Sequence, residues 1–475
     1  MSSVSDVSGI DQLVAQYRLT KRKPAQVLES KRSALNIRLA VLADLKTKLK
    51  TLKTTAEDLA KTGTSSKFNT FSIASTNATL ANATATSSAL IGTHSLKISR
   101  LAKNDTLLSD RVTGTSTSIV DAEGAGTKTL RLSVNGVDTD VNVELVAGDT
   151  NDAVLDKVVT AINDSAATVN ASNVGDTSTT NKLVLISQST GASNAISVSN
   201  VTGTLWDKLG LSSGVISGRT ASGASTAGFA NTSVSQLNSA FTVDGISVEK
   251  EVNTVTDVLK GVTLELKGAH ADSDAPLTLS VDVNKTAIKE KVQKFITDYN
   301  AALSYINTKT QYDPVTKTRE ALSGDSIFTT FRYNLRSLAA SPVDSVKVGN
   351  PSLLSEIGMT VGKDGTLSLT DTEKFEEMLD GSVEKVEDLF NSTNGIANKL
   401  VSLIDGMTNS STGKIVTVKD NADSQVLSLT NRITRFDETL NRHVEKYKND
   451  FLRLQAAYNK ILSQQQSISA ITSYY

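Results

Sequence analysis

Gly210-Leu211-Ser212-Ser213-Gly214 carries the G-x-S-x-G spacing that acyl-transfer enzymes use to lift a serine hydroxyl onto a sharp turn. That chemistry needs a strand before the serine, a helix after it, and a histidine to take the hydroxyl proton. Here a Ser/Gly/Ala/Thr-rich stretch follows, and the 475-residue chain has three histidines in all, His94, His270 and His443, far apart in sequence. The spacing therefore reads as a flexible turn. None of the histidines has a second histidine or a carboxylate cluster at metal-ligand spacing, and the absence of cysteine excludes thiolate sites and disulfides. No P-loop, dinucleotide fingerprint or H-E-x-x-H is present. No residue is assigned to catalysis, a cofactor or a metal, and the chain reads as non-enzymatic.

Charge adds little direction. There are 49 basic and 50 acidic residues, so no global field points to nucleic acid or a membrane. Lys21-Arg22-Lys23 reads as a solvated lead-in to a helix, and the sequons at Asn77, Asn82 and Asn200 carry little weight. No apolar run nears the roughly 20 residues that span a bilayer. The opening MSSVSDVSGIDQLV shows no basic-then-apolar secretory pattern. Aromatics at 4% and abundant Ser, Thr, Ala and Asn suit a modular structural protein.

With no chemistry to position, the ordering principle lies in two long helical seams. From Val426 the apolar residues Leu429, Ile433, Phe436, Leu440, Val444, Tyr447, Phe451, Leu454, Tyr458 and Ile461 follow at spacings of three and four. The doubled four at Phe436–Leu440–Val444 is a stutter that locally unwinds a left-handed supercoil. Such a seam needs a partner, and the sequence offers one at the other end. Leu28, Leu35, Leu42, Leu49 and Ala56 recur every seven residues, with Leu45, Leu52 and Leu59 at the companion position and Lys31 and Arg38 there earlier. One Leu buried is worth roughly 1.5–3 kcal/mol, so each half-seam gains its stability when paired. Either the ends form a solitary hairpin, or they stay exposed until a multi-chain helical assembly takes them up; the weak first heptads and the polar end after Gln464 favour assembly.

Between the seams the period changes to two. The N-terminal helix is expected from Pro24 to about Lys61, and strands at 71–73 and 95–99 follow, with a Thr/Ala/Asn stretch from Ala74 to Ala89 between them. A second β block contains 130–137, with an Asn135-Gly136 hairpin turn, then 141–145, a helix over Asp149–Ile162, strands at 183–187 and 196–198, and an apolar knot at 205–211. Residues 212–240 read as loop or linker. Strands return at 241–246, 262–266 and 277–281; helices follow over 288–306, 327–338 and 396–407, with a hairpin at 359–369 and a capping-box start at Thr370-Asp371-Thr372-Glu373.

Six local motifs accompany this order: Ser8-Gly9-Ile10-Asp11-Gln12-Leu13-Val14 at the start, Ile91-Gly92-Thr93-His94-Ser95-Leu96-Lys97-Ile98-Ser99-Arg100-Leu101-Ala102 in a strand, and the pair Phe241-Thr242-Val243-Asp244-Gly245-Ile246 and Gly261-Val262-Thr263-Leu264-Glu265-Leu266. The last two are Asp364-Gly365-Thr366-Leu367-Ser368-Leu369 in a hairpin and Val386-Glu387-Asp388-Leu389-Phe390 in a helix. Together with the order of elements, these motifs resemble the flagellar hook-associated protein 2 family: its opening signature, one of its strands, a strand pair, and a hairpin and helix. Lys21-Arg22-Lys23 before Pro24 departs from an acidic residue usual there, and His94 stands where Tyr is common.

The expected architecture is α+β and multidomain. The N- and C-terminal helices (1–64 and 420–475) pair as a coiled-coil-like leg, with Leu28, Leu35, Leu42, Leu49 and Leu52 facing Leu440, Val444, Tyr447, Phe451, Leu454 and Tyr458. Nested between them are an inner β domain (65–107 with 236–283), a variable outer β domain (108–235) and a helical domain with a β-hairpin (284–419). The resemblance implies an extracellular, secreted cap at the filament tip, a ring-shaped homo-oligomer, often pentameric. Flagellin, hook-filament junction proteins and an export chaperone on the C-terminal helix are its implied partners, with no cofactor. A β-domain adhesin on a helical stalk, binding host surface ligands, is the alternative.

Overall fold

A single long helix, α1 (Val7–Leu59), opens the chain and contains Pro24 in its interior. The computed structural model describes residues 7–472; the first six residues of the expected N-terminal leg and the last three of the C-terminal leg lie outside it, as does the side chain of Ile10. The expected helix start at Pro24 is thus corrected. A proline inside a helix leaves the carbonyl four residues back, Thr20, without its amide donor and costs about 3 kcal/mol. Contacts on both sides of Pro24 hold the helix together through it: Arg22 binds Asp437 and Ala25 is fully buried.

The chain then enters a β-rich unit, residues 69–284. Its inner part begins with β1 (Phe71–Ser75), β2 (Ala81–Ala85) and β3 (Gly92–Arg100). The excursion that follows comprises β4 (Asn104–Leu108), β5 (Val112–Thr113), α2 (Ser118–Glu123), β6 (Gly126–Val134), β7 (Val137–Leu145), α3 (Asn151–Asn163), β8 (Val169–Gly175), β9 (Thr180–Thr190), β10 (Ser197–Thr202), α4 (Leu205–Lys208), α5 (Ser213–Ser217) and β11 (Gly228–Phe229). The return brings β12 (Ser239–Val243), β13 (Ile246–Lys250), β14 (Thr254–Leu259), β15 (Val262–Leu266) and β16 (Leu277–Val283).

Two sheets make the inner core, a five-stranded one in the order β1-β16-β3-β12-β13 and a three-stranded one, β14-β15-β2. Alternation puts Leu96, Ile98, Phe241, Val243, Leu279 and Val281 on the same side as Val262, Leu264 and Leu266 of the second sheet. β2 and β14 were hidden in Thr/Ala/Asn-rich and charged sequence. The expected strand at 241–246 is in fact a hairpin: Asp244 (φ 51°) and Gly245 (φ 82°) form its turn, as Asn135 (φ 53°) and Gly136 (φ 72°) do between β6 and β7.

The excursion has its own core, centred on Trp206, Leu155, Val158, Leu183 and Leu185. Its sheet begins at β4, where Thr106 pairs with Ile186. Residues 212–240, expected to be linker, pack instead: β11 pairs with β4, and Ala227, Phe229 and Leu237 are buried. Arg219 explains the anchoring. It donates to Asp105, which is 0% exposed and also accepts from the Ile196 amide, and its guanidinium lies 4.1 Å from the Phe229 ring.

The second unit, formed from residues 1–68 and 285–475, is helical. After α1 it contains α6 (Lys285–Thr310), a small hairpin of β17 (Tyr312–Asp313) and β18 (Thr318–Arg319), α7 (Ser326–Ala340), the hairpin β19 (Met359–Val361) and β20 (Leu367–Leu369), α8 (Thr372–Gly381), α9 (Val383–Asn391), α10 (Ile396–Thr408) and α11 (Lys414–Thr472). The capping residue of α8 is Asp371, which accepts from the Lys374 amide, rather than Thr370. Phe295 and Phe68 both pack on Phe390, and the buried Tyr299 hydroxyl donates to the Leu335 carbonyl. Among the described residues no helix is long and apolar enough to cross a membrane.

Candidate functional site

The acyl-transfer spacing does not build a nucleophile. Ser212 follows the short helix α4 rather than a strand, and α5 begins right after it, where loop was expected. The histidines are engaged elsewhere: His94 Nδ1 lies 2.8 Å from Asp244, the buried His270 Nδ1 accepts from the Ile98 amide, and His443 is exposed on α11. Among the described residues no group of three or more His, Cys, Asp or Glu is placed to hold a metal.

What the sequence does build is a two-helix stalk. α1 and α11 run antiparallel. Arg18 donates to Asn441 at 2.8 Å and Arg22 to Asp437 at 3.1 Å, Lys448 lies 3.5 Å from Asp11, and the Tyr17 and Tyr447 rings stack at 4.4 Å with an interplanar angle of 11°. Arg22 also binds Glu29 at 2.8 Å. The Asp437 hydrogen bond and charge raise the Arg22 pKa above its ordinary value. Arg22, expected to be merely solvated, is thus a cross-helix tie.

The register places each seam residue. Leu28 and Leu35 are half-buried, and Leu42 is buried. Carried along both helices, the Arg18–Asn441 and Arg22–Asp437 pairs set Lys414, the first residue of α11, opposite Leu45. Leu49 and Leu52, expected to meet the C-terminal helix, lie past its start. They are buried where α1 packs on α6 and α10, with Lys53 bound to Asp405 at 2.6 Å and Thr55 to Asp298 at 2.5 Å. The single seven-residue repeat therefore serves two partners in turn. Arg38, an apparent flaw at a companion position, donates at 2.6 Å to Asp325, the residue that caps α7.

On α11, Ile433, Leu440 and Val444 are buried by α1, while Tyr447 and Phe451 are half-buried, their rings 5.4 Å apart. Beyond Leu452 no described residue of α1 lies opposite. Leu454 is 65% exposed, Tyr458 49%, Ile461 59% and Ile468 62%. Among the described residues the seam thus stays exposed at Leu454, Tyr458 and Ile461, on a helix whose first part shows what it does when covered. Leu13, Val27, Ile37 and Leu427 add exposed apolar side chains along the stalk. Exposed apolar stripes are a common basis of helix assembly.

Comparison with known proteins bears on the role of the chain. The family descriptions "Flagellar hook-associated protein 2 N-terminus" and "Flagellar hook-associated protein 2 C-terminus" match residues 8–105 and 237–463. The chain is 26% identical over 468 residues to the A-type flagellar hook-associated protein 2 of Pseudomonas aeruginosa, covering 96% of this chain and 91% of that one. It is 24% identical over 489 residues to the flagellar hook-associated protein 2 of Xenorhabdus nematophila, covering 97% of each. Its fold is similar to the crystal structure of the D1-D2-D3 domains of the flagellar cap protein FliD from Escherichia coli, with a TM-score of 0.60 and 24% identity over 81% of this chain and 99% of that one. The adhesin alternative gains no support from these likenesses.

Proposed function

Because the chain belongs to the flagellar hook-associated protein 2 family, we propose that it caps the distal end of a flagellar filament as a ring of identical subunits. The ring retains exported flagellin at the tip while flagellin folds and is inserted. The chain works by assembly and confinement, outside the cell. Five copies make the ring, it is built on the hook-filament junction proteins, and an export chaperone holds the C-terminal helix until it assembles.

The observation that carries this reading is the uncovered seam of α11 beyond Leu452. A helix that buries Leu440 and Val444 against α1, then continues with Leu454, Tyr458 and Ile461 in the open, is built to add further helices at that end. Those helices belong to the filament and to neighbouring cap chains. The β-rich unit, with two separate cores, supplies the plate.

Deletion of the gene in its own bacterium, followed by re-expression from a plasmid, tests the function. The deletion strain is expected to release flagellin into the medium and to carry short or absent filaments, with both defects restored by the plasmid. Full-length filaments without the chain would reject the capping role.

A further inference from the structure

The hairpin between α6 and α7 leaves its apolar tip in the open. From β17 to β18 the chain turns through Pro314-Val315-Thr316-Lys317, and Val315 is 88% exposed. The turn is built to hold its shape. The Asp313 carboxylate accepts from the Val315 amide at 2.8 Å and from the Thr316 hydroxyl at 2.7 Å, and the Pro314 ring fixes its own φ. The Arg319 guanidinium lies 5.7 Å from the Tyr312 ring. At the base, the Glu320 amide donates to the Gln311 carbonyl and the Leu322 amide to the Lys309 carbonyl of α6, with Leu322 fully buried. An apolar side chain at the end of such a turn loses little freedom when it is covered.

A hollow of matching character lies at the other end of α7. Leu338, Pro342, Val343, Ile396, Leu403 and Lys399 surround about 350 Å³ between the last turns of α7 and α10. An apolar cavity of about 150 Å³ already admits a benzene molecule, so Val315 with the Pro314 ring has room to enter. Charge agrees with the fit. Asp344, next to Val343 of the lining, has a side chain 74% exposed and lies 3.6 Å from Lys399, which leaves its carboxylate open to a second cation. Lys317, two residues beyond Val315, carries an exposed ammonium at the tip.

Placement selects the occupant. The hairpin precedes the first turn of α7 and the hollow flanks its last turns, and Ser326 and Leu338 are about 18 Å apart along the helix axis. One chain therefore cannot seat its own tip, whereas a second copy can. A knob at one end of a helix and a hole at the other make a head-to-tail contact, the kind that closes into a ring when its rotation permits.

We propose that Val315 of one copy enters the α7–α10 hollow of the next, with Lys317 against Asp344, and that this contact joins neighbouring subunits. The contact presupposes the ring of identical subunits proposed above and gives that ring its joint.

Because the chain has no cysteine, cross-linking tests the contact cleanly. Purified full chains carrying Val315→Cys or Ser337→Cys, the second at the mouth of the hollow, are mixed at the highest concentration they tolerate and treated with a short bis-maleimide. The mixture is expected to give about tenfold more covalent dimer than either variant alone, and a chain carrying both substitutions a ladder of oligomers. Asp344→Lys in the Ser337→Cys chain should lower the yield about threefold, and Lys317→Asp in the Val315→Cys chain should restore it. In the deletion strain, Val315→Asp is expected to melt like wild type and leave short filaments. Cross-linking does not depend on capping: mixed dimer from purified chains supports the contact even if the deletion strain shows no filament defect, a result that rejects the capping role alone. A mixture that gives no more dimer than the single variants, or full-length filaments from an exported Val315→Asp chain in a strain that needs the cap, overturns the contact and leaves the capping role standing.

Discussion

Replacing Leu454 and Tyr458 together by Ala separates folding from assembly. The two side chains are 65% and 49% exposed in the single chain. Ala is the strongest helix former, so α11 keeps its conformation, and loss of exposed side chains shifts monomer stability by less than about 0.5 kcal/mol. Covering the exposed part of each in an assembly is worth about 1–2 kcal/mol, hence about 2–4 kcal/mol per subunit, or a roughly 30- to 800-fold weaker hold. The double variant should melt like wild type yet leave short filaments and flagellin in the medium. Its own export must be measured alongside, so that a loss of secretion is not read as a loss of capping. Leu440→Ala with Val444→Ala is the contrasting pair: both side chains are buried, so this variant loses monomer stability as well. Full-length filaments from an exported Leu454→Ala/Tyr458→Ala chain would refute the reasoning.

Three further outcomes follow from particular contacts. Asp105→Leu strands the Arg219 guanidinium in the outer core and should destabilise it by about 3–5 kcal/mol in urea unfolding; a midpoint unchanged from wild type would contradict the role given to that pair. The Lys157 ammonium, and then the Val146 amide, hold the Asp149 carboxyl below its ordinary value, so its stabilising contribution is present above about pH 4 and is lost as the pH falls through the depressed folded value. Asp149→Asn should therefore flatten the acid limb of the urea midpoint against pH while lowering stability at neutral pH. Replacing residues 104–236 by a short Gly-Ser linker should leave the inner β core with a cooperative melt, since the Lys103 amide already donates to the Leu237 carbonyl at 2.9 Å and the ends are adjacent. Aggregation of that deletion variant would show that the two cores depend on each other.

The long-period features were legible in the sequence because one face repeats over many turns. The seams, the helices over 288–306 and 396–407, and the Asn135-Gly136 hairpin all rest on such repetition or on a turn with one chemical solution. Short strands were harder. Ala81–Ala85 has little apolar signal and is a strand because Leu264 and its neighbours on β15 pair with it. The packed segment after Ser212 has linker composition, and Arg219 and Asp105, 114 positions apart, meet only in three dimensions. The helix running through Pro24 was illegible for a related reason: the force that holds it lies on α11. On the stalk, the apolar positions could be read but not their partners. A heptad says that a face is covered without saying by what, so Leu49 and Leu52 seemed to face the C-terminal helix although α6 and α10 take them.

The most direct measurement is electron cryomicroscopy of filament tips from the plasmid-restored strain, at a resolution that traces helices. The account predicts a ring of this chain on the tip, with each α1–α11 stalk directed into the filament and Leu454, Tyr458 and Ile461 covered by neighbouring helices. A tip on which those three residues face solvent, or one that carries no copy of this chain, would contradict it.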